Sequence, residues 1–259
     1  MIESQKVNSP DVPGSVFAEV DAGTKVATVW IDNPERLNAM SIQMWERLAE
    51  VLRGLAEDSR VWVVTIRGTD GNFCAGADLG EFGEHRQGAD TLTYDERTEA
   101  ALRVPLQMPM PVVAFVEGYC LGGGVSIAVA CDFIYAVNDA KFQIPVAKVG
   151  TAYPEGALNR LRARVGYANA LELIATARRI DAIAAAKIGL VTQSFPASED
   201  VLVQLRRIAT LAPRSIAAAK ASLDGRISQD ERLAIFSSQD YQEGLRAFAE
   251  RRNPRFTGV

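Results

Sequence analysis

The chain is poor in histidine and cysteine and contains no long apolar run. Its one histidine, His85, argues against most zinc sites and most histidine-based hydrolases. The three cysteines, Cys74, Cys120 and Cys131, form an odd number at unrelated spacings, so we expect no disulfide framework and a cytoplasmic location. No apolar stretch approaches the roughly 18 uncharged residues that a membrane-spanning helix needs. The N-terminus also lacks the basic segment and apolar run of a secretory signal.

The composition is that of a globular protein. Of the 259 residues, 48% are hydrophobic and 23% charged, which excludes a disordered chain and suffices for one large domain, or one domain with a small appendage. Residues 1–200 carry 18 basic and 26 acidic side chains, whereas residues 201–259 carry 10 basic and 6 acidic. The acidic body excludes a general nucleic-acid binder. The basic end is either a solvated helical surface or a contact for a small anionic ligand or an acidic neighbour.

Short apolar runs alternate with amphipathic segments up to about residue 137. Apolar, β-branched runs between turn residues predict strands, and apolar residues at helical spacing after a capping residue predict helices. The predicted strands are Val16–Val20, Lys25–Ile31, Val61–Ile66, Val112–Val116 and Phe133–Val137. The predicted helices begin after Ser41, span Thr93–Leu102, and run from the triplet Gly122–Gly124 to about Cys131. This alternation predicts a layered α/β body.

Beyond about Ser198 the pattern is helical only. Pro213 begins one predicted helix, and Gln229–Arg251 is predicted as one long amphipathic helix. We therefore divide the chain into a core over residues 1–197 and a helical region over residues 198–259. The helical region either packs on another subunit or folds back on its own body, and the pattern leaves both open.

Two segments rich in small residues suit contacts made through the backbone. Phe73–Leu79 (FCAGADL) follows a predicted buried strand, and Gly118–Gly124 (GYCLGGG) lies between a strand and a helix start. Small residues let a ligand approach the main chain, and unpaired N–H groups at a helix start favour negative charge. Two such groups aimed at one point form an oxyanion hole. Each segment alone also fits an ordinary tight turn.

With Asn33–Ala39 (NPERLNA) and the tail Arg251–Phe256 (RRNPRF), these segments make the sequence resemble the crotonase, or enoyl-CoA hydratase/isomerase, superfamily over nearly its whole length. The resemblance implies a spiral of repeated ββα units with a C-terminal helical trimerisation region, assembled as a homotrimer or a hexamer. It also implies an acyl-CoA thioester as ligand, with its carbonyl polarised by the backbone N–H groups of Ala75 and Gly123.

The resemblance further suggests which residues hold the CoA part of the substrate. These are Arg36, Leu37, Ala75, Ala77, Asp78 and Leu79. Among them Arg36 is the expected partner of the CoA phosphates, and Asp78 alternatively shapes its own loop. The resemblance implies no metal and no redox cofactor, because CoA enters as part of the substrate.

The resemblance breaks at the catalytic carboxylates. Family hydratases carry glutamates at the positions that Ser126 and Val146 occupy in this chain. Water addition to a conjugated double bond needs one group to activate water and another to deliver a proton. Valine does neither, and a serine is no carboxylate, so we expect no conventional hydratase activity.

Glu155 is a remaining carboxylate near these motifs. It comes one residue after the position, Pro154 here, where some family isomerases hold an aspartate. A single shielded carboxylate can move a proton between two carbons, as an isomerase requires. Alternatively, Glu155 complements the dipole of the helix that begins beside it. The sequence thus predicts an isomerase-like enzyme that stabilises an enolate, with a non-catalytic acyl-CoA-binding protein as the alternative.

Overall fold

Nine strands and ten α-helices make up the part of the chain that the computed structural model describes, residues 14–82, 86–88 and 90–259. His85 and the N-terminal segment lie outside these residues. The strands are β1 Ser15–Asp21, β2 Val26–Asp32, β3 Val63–Gly68, β4 Val112–Val116, β5 Tyr119–Leu121, β6 Phe133–Val137, β7 Lys141–Gln143, β8 Ile180–Asp181 and β9 Gln193–Phe195. The helices are α1 Ile42–Ala56, α2 Asp90–Gln107, α3 Gly123–Ala130, α4 Val146–Val149, α5 Glu155–Thr176, α6 Ala182–Lys187, α7 Ser198–Ile208, α8 Pro213–Leu223, α9 Gln229–Ile235 and α10 Gln239–Glu250. Within the described ranges, no helix has both the length and the apolar character needed to cross a membrane.

The larger sheet has six strands in the order β1-β2-β3-β4-β6-β9, and a second sheet has the order β5-β7-β8. β1 and β2 pair antiparallel, with Ser15 opposite Asp32 and Asp21 opposite Val26. The remaining pairs of the larger sheet are parallel. Parallel neighbours need crossover connections, which the helices supply. The predicted hairpin and the predicted α/β class are therefore confirmed.

Both faces of the larger sheet are buried. On β3, Val64 and Ile66 belong to the main core with the apolar side of α1, whereas Val63 packs in a second cluster with Val201 and Leu205 of α7. Successive side chains of a strand point to opposite faces of the sheet. The continuous apolar run on β3 therefore serves two cores, and α7 covers the face opposite α1.

Helix α1 begins where the sequence predicts it. The Ser41 hydroxyl accepts a hydrogen bond from the Met44 N–H at 3.2 Å, which satisfies one free donor of the first turn. Helix α2 extends beyond its predicted ends and includes Pro105 in its last turn, where the missing N–H costs one hydrogen bond at the edge of the helix.

The region after β9 is helical throughout the described residues, but the predicted long helix is wrong in one respect. Residues 229–251 form two helices, α9 and α10, because the chain starts a new helix at Ser238. The Ser238 hydroxyl accepts the Tyr241 N–H at 3.1 Å and caps α10. The division of the chain between residues 197 and 198 stays a prediction.

Lys220 ties α8 to the body of the protein. Its ammonium group donates to the carbonyls of Pro105 at 2.9 Å and Met110 at 3.2 Å, and to the Asp132 carboxylate at 2.6 Å. The same carboxylate accepts the Val112 N–H at 2.7 Å, at the start of β4. Helix α8 therefore folds back on its own body.

Lys220→Met removes the charged donor and keeps most of the apolar stem. We expect the free energy of unfolding to fall by about 2–4 kcal/mol, because a carboxylate and two carbonyls lose a mostly buried partner. Denaturant unfolding at one fixed protein concentration measures the change. The matched control is Lys187→Met, at an exposed position of α6, which should change stability by less than about 0.5 kcal/mol. A Lys220→Met variant as stable as the control would contradict this role.

Candidate active site

An apolar cavity of about 120 Å³ lies at the start of α3. Its wall is formed by both small-residue segments, by Trp45 of α1, by Tyr94 of α2 and by parts of the chain between Pro145 and Pro154. The two segments that the sequence marks as suited to backbone contacts therefore meet around one cavity.

The backbone N–H groups of Ala77 and Gly123 lie in this wall and have no hydrogen-bond acceptor within the described part of the chain. They lie close together, because a Cβ placed on Gly123 would be 3.1 Å from the Ala77 nitrogen. Gly123 is the first residue of α3, where the helix dipole adds a positive potential. Two neighbouring unbonded donors at a helix start form a site for a developing negative charge.

The sequence predicts Ala75 as one of these donors, but its N–H already donates to the Leu37 carbonyl at 2.9 Å. Gly76 follows with a φ of 105°, a conformation that side chains disfavour. The chain changes direction there, so the next N–H in the motif, that of Ala77, is the one left without an acceptor.

A chain of hydroxyl groups stands where family hydratases carry a glutamate. The Ser126 hydroxyl donates to the Tyr153 oxygen at 2.8 Å, and the Tyr153 hydroxyl donates to the Gly122 carbonyl at 2.9 Å. Both side chains are buried, and burial raises the pKa of Tyr153 far above its usual range. The pair is thus neutral at physiological pH, and it holds the turn that presents the Gly123 N–H.

No carboxylate side chain lines the cavity among the residues that the structure describes. Val146 lines it at the second hydratase position, and Pro154 lines it at the isomerase position. Glu155 is an exposed residue in the first turn of α5 and is not part of the cavity wall. Its placement fits the helix-dipole interpretation.

Glu99 of α2 packs against the start of α5 and forms an ion pair with Arg160. Both of its carboxylate oxygens accept from Arg160, at 2.9 and 2.7 Å. Hydrogen bonding to Arg160 lowers the pKa of Glu99 despite its partial burial. A carboxylate so paired is charged and structural, not a free acid or base.

The residues expected to hold CoA cluster at the rim of the cavity. Arg36 forms an ion pair with Asp78, and half of the Arg36 side chain is exposed. Asp78 also accepts the Gly80 N–H at 2.9 Å, which fits its loop-shaping role. Leu79 lines the cavity with most of its surface exposed. Leu37 faces outward and acts through its carbonyl, as described above.

Several lining residues were not predicted from sequence as part of a site, among them Trp45, Tyr94 and Arg86. Trp45 and Tyr94 occupy apolar positions of their helices, and Arg86 follows the segment 83–85. Their apolar or charged pattern is that of an ordinary core or surface residue, so no local signal marks them. Tertiary contact between α1, α2 and the residues after Asp78 brings them together.

All three cysteines are free thiols and buried. Cys74 lies beside the candidate donors, and burial raises its pKa to about 12. A thiol with that pKa is protonated at neutral pH and is a poor nucleophile. Cys74 is therefore a packing residue, as expected.

Comparisons with known proteins agree with this geometry. Residues 21–259 match the family model described as Enoyl-CoA hydratase/isomerase. A probable enoyl-CoA hydratase of Mycobacterium bovis is 32% identical over 256 residues, covering 92% of this chain and 96% of the relative. A peroxisomal Δ3,5-Δ2,4-dienoyl-CoA isomerase of Arabidopsis thaliana is 31% identical over 251 residues, covering 87% and 90% of the two chains.

Solved structures show the same similarity. An enoyl-CoA hydratase/carnithine racemase from Magnetospirillum magneticum superposes with a TM-score of 0.89 at 30% identity, covering 95% of this chain and 98% of that one. An enoyl-CoA hydratase from Bacillus anthracis has a TM-score of 0.85 at 27% identity, covering 96% and 100%. The chain belongs to the enoyl-CoA hydratase/isomerase, or crotonase, family, and the predicted resemblance is confirmed.

Proposed function

We propose that the cavity binds an acyl-CoA thioester with its carbonyl oxygen at the N–H groups of Ala77 and Gly123, and that the protein stabilises the enolate in an isomerase-like reaction. The pair of unbonded donors at the start of α3 is the observation that carries this proposal. An enolate oxygen needs such preorganised donors, and losing one costs about 10²–10³ in rate.

Water addition is not part of the proposal. The two positions that carry glutamate in family hydratases are Ser126 and Val146, and both face the cavity. Ser126 is engaged with Tyr153 at 2.8 Å, and valine has no proton to give or take. A neutral, largely apolar wall therefore supports proton movement on the substrate better than activation of water.

The proton acceptor that the proposal assigns is Glu155. It adjoins Pro154, which lines the cavity, and lies in the first turn of α5. The second candidate function is binding of acyl-CoA without catalysis. The exposed position of Glu155 in the first helical turn favours this second candidate.

CoA enters both candidates as part of the ligand. The Arg36 guanidinium, half exposed at the rim, is the expected partner of the CoA phosphates. Neither candidate assigns a metal or a redox cofactor. The protein is expected in a reducing compartment, which the three unpaired thiols support.

Gly123→Pro and Gly123→Ala form a matched pair that tests the donor. Both add a Cβ, which would lie 3.1 Å from the Ala77 nitrogen and 3.2 Å from Trp45 Cζ2. Proline also removes the N–H, at a first helical position that accepts proline. We expect both variants to bind a conjugated enoyl-CoA, with the absorbance red shift of the polarised thioester lost in Gly123→Pro and kept in Gly123→Ala.

Thermal unfolding of both Gly123 variants serves as the folding control. Equal red shifts in two folded variants would contradict the assignment of the Gly123 donor. Calorimetry on the wild type completes the test, because binding weaker than millimolar for every acyl-CoA would contradict the proposed function itself.

Glu155→Gln separates the two candidate functions. In deuterated buffer we expect the wild type to exchange the α-protons of butyryl-CoA without appreciable hydration of crotonyl-CoA. Loss of the proton acceptor should slow this exchange by about 10²–10⁴. Proton NMR measures the exchange, with Glu57→Gln, at an exposed position remote from the cavity wall, as the control.

Each outcome of the exchange experiment has a distinct meaning. Equal exchange in the wild type and in Glu155→Gln would restrict Glu155 to the helix start. A wild type that binds the thioester without exchange would establish the non-catalytic candidate. Rapid hydration of crotonyl-CoA would overturn the argument from Ser126 and Val146.

We also infer a homotrimer or a hexamer. The C-terminal helices leave large apolar side chains exposed, among them Leu223 at 89% and Phe248 at 86%. Exposed apolar surface of this kind marks association sites. Sedimentation velocity at micromolar concentration should show a trimer or larger species, and the double variant Leu223→Asp, Phe248→Asp should dissociate it. A stable wild-type monomer would contradict the inference.

A further inference from the structure

Two side chains in the cavity wall carry buried polar hydrogens that have no acceptor among the described residues, the Tyr94 O–H and the Arg86 Nε–H. The neighbouring Trp45 N–H hydrogen-bonds to the Tyr94 oxygen. Tyr94 is 5% exposed and the Arg86 side chain 9%. A buried polar group left unpaired costs about 1–3 kcal/mol, and native proteins retain few of them. Two such donors in one cavity wall point to a polar group on the ligand.

The three side chains follow one another away from the candidate oxyanion donors. A Cβ on Gly123 would lie 3.2 Å from Trp45 Cζ2, so the indole ring begins beside that donor. Tyr94, on the neighbouring helix α2, also lines the cavity, and the Arg86 guanidinium carbon lies 5.0 Å from the centre of its ring. A thioester carbonyl at Gly123 would therefore direct its acyl chain along Trp45 toward Tyr94 and Arg86.

Both unpaired groups are donors and need an acceptor on the ligand. A guanidinium Nε–H donates and never accepts. The Tyr94 hydroxyl is also a donor at neutral pH, because burial raises its pKa to about 12. The complementary ligand atom is an oxygen with free lone pairs.

The charges around these donors disfavour a carboxylate. Arg86 is already paired with Asp95 at 2.8 Å. Glu81 lies at the same side of the cavity and accepts the Ile42 N–H at 2.8 Å. Among the described residues, one cation beside two carboxylates leaves no positive charge to offset a third, and desolvating an uncompensated carboxylate is costly.

We propose that the acyl group carries a neutral acceptor oxygen (a carbonyl, hydroxyl or ether) at the end remote from the thioester, and that Tyr94 and Arg86 recognise it. This inference rests on the proposed function for the thioester end. It adds a polar subsite to a largely apolar cavity, and so names the class of substrate.

Calorimetry with isosteric acyl-CoA thioesters tests the subsite. Three kinds of thioester are compared at several chain lengths. They differ only at the far end of the acyl chain, which carries an oxo group, a branched methyl group or a carboxylate. We expect the oxo ester to bind about tenfold tighter than both isosteres at the matching length. In Tyr94→Phe that ratio should fall to about threefold or less, with the affinity for the methyl ester unchanged. Tyr167→Phe, at an exposed position of α5, is the matched control and should keep the full ratio.

Stability separates loss of recognition from loss of folding. Tyr94→Phe also removes the acceptor of the Trp45 N–H, so we expect the free energy of unfolding to fall by about 1–3 kcal/mol in a variant that still folds, which thermal unfolding checks. Equal affinity for the oxo and methyl esters at every length would overturn the subsite and leave the thioester site intact. If the thioester with a carboxylate at its far end binds most tightly, the assignment of a neutral oxygen is overturned. No binding of any ester would overturn the proposed function, and this inference with it.

Discussion

The close approach of the backbone around Gly76 to the start of α3 is the constraint on which the site depends. Cys74 pairs on both sides with the neighbouring segment, donating to the Tyr119 carbonyl and accepting from the Leu121 N–H, each at 2.9 Å. A Cβ on Gly124 would lie 2.4 Å from the Cys74 carbonyl oxygen. Glycine is therefore required there, because its absent side chain is what lets two backbones meet. Parallel strands β3 and β4 deliver both segments to the same edge of the sheet, where a helix start adds its N–H groups.

The cavity beside this contact is neutral at the reacting end. Ser126 and Tyr153 satisfy each other and the Gly122 carbonyl, so the turn is held without a charged group. Such a wall stabilises a developing oxyanion through fixed dipoles and has no built-in pair to activate water. Tyr94 and Arg86 belong to the same cavity wall. The proposals thus assign catalysis and recognition of the acyl group to different parts of one pocket.

The sequence predicted the elements whose cause is local. The Ser41 cap, the hairpin after Asp21 and the buried strands depend on neighbouring residues, and each is found. The structure departs from these expectations where a competing interaction decides. Ala75 is a small residue in the expected motif, yet its N–H donates to the carbonyl of Leu37, which is distant in the chain. The long helix over residues 229–251 fits one amphipathic pattern, yet the cap at Ser238 breaks it.

By itself, the sequence determined the α/β class, the family and the loss of both hydratase carboxylates, because these depend on residue types and on motifs read along the chain. Only the tertiary structure decided which N–H groups are unbonded, that Glu155 is exposed, and that Trp45, Tyr94 and Arg86 share one cavity. The physical reason is that a hydrogen bond has one donor and a limited number of acceptors. Whether a donor remains available is settled by partners that packing brings from elsewhere in the chain.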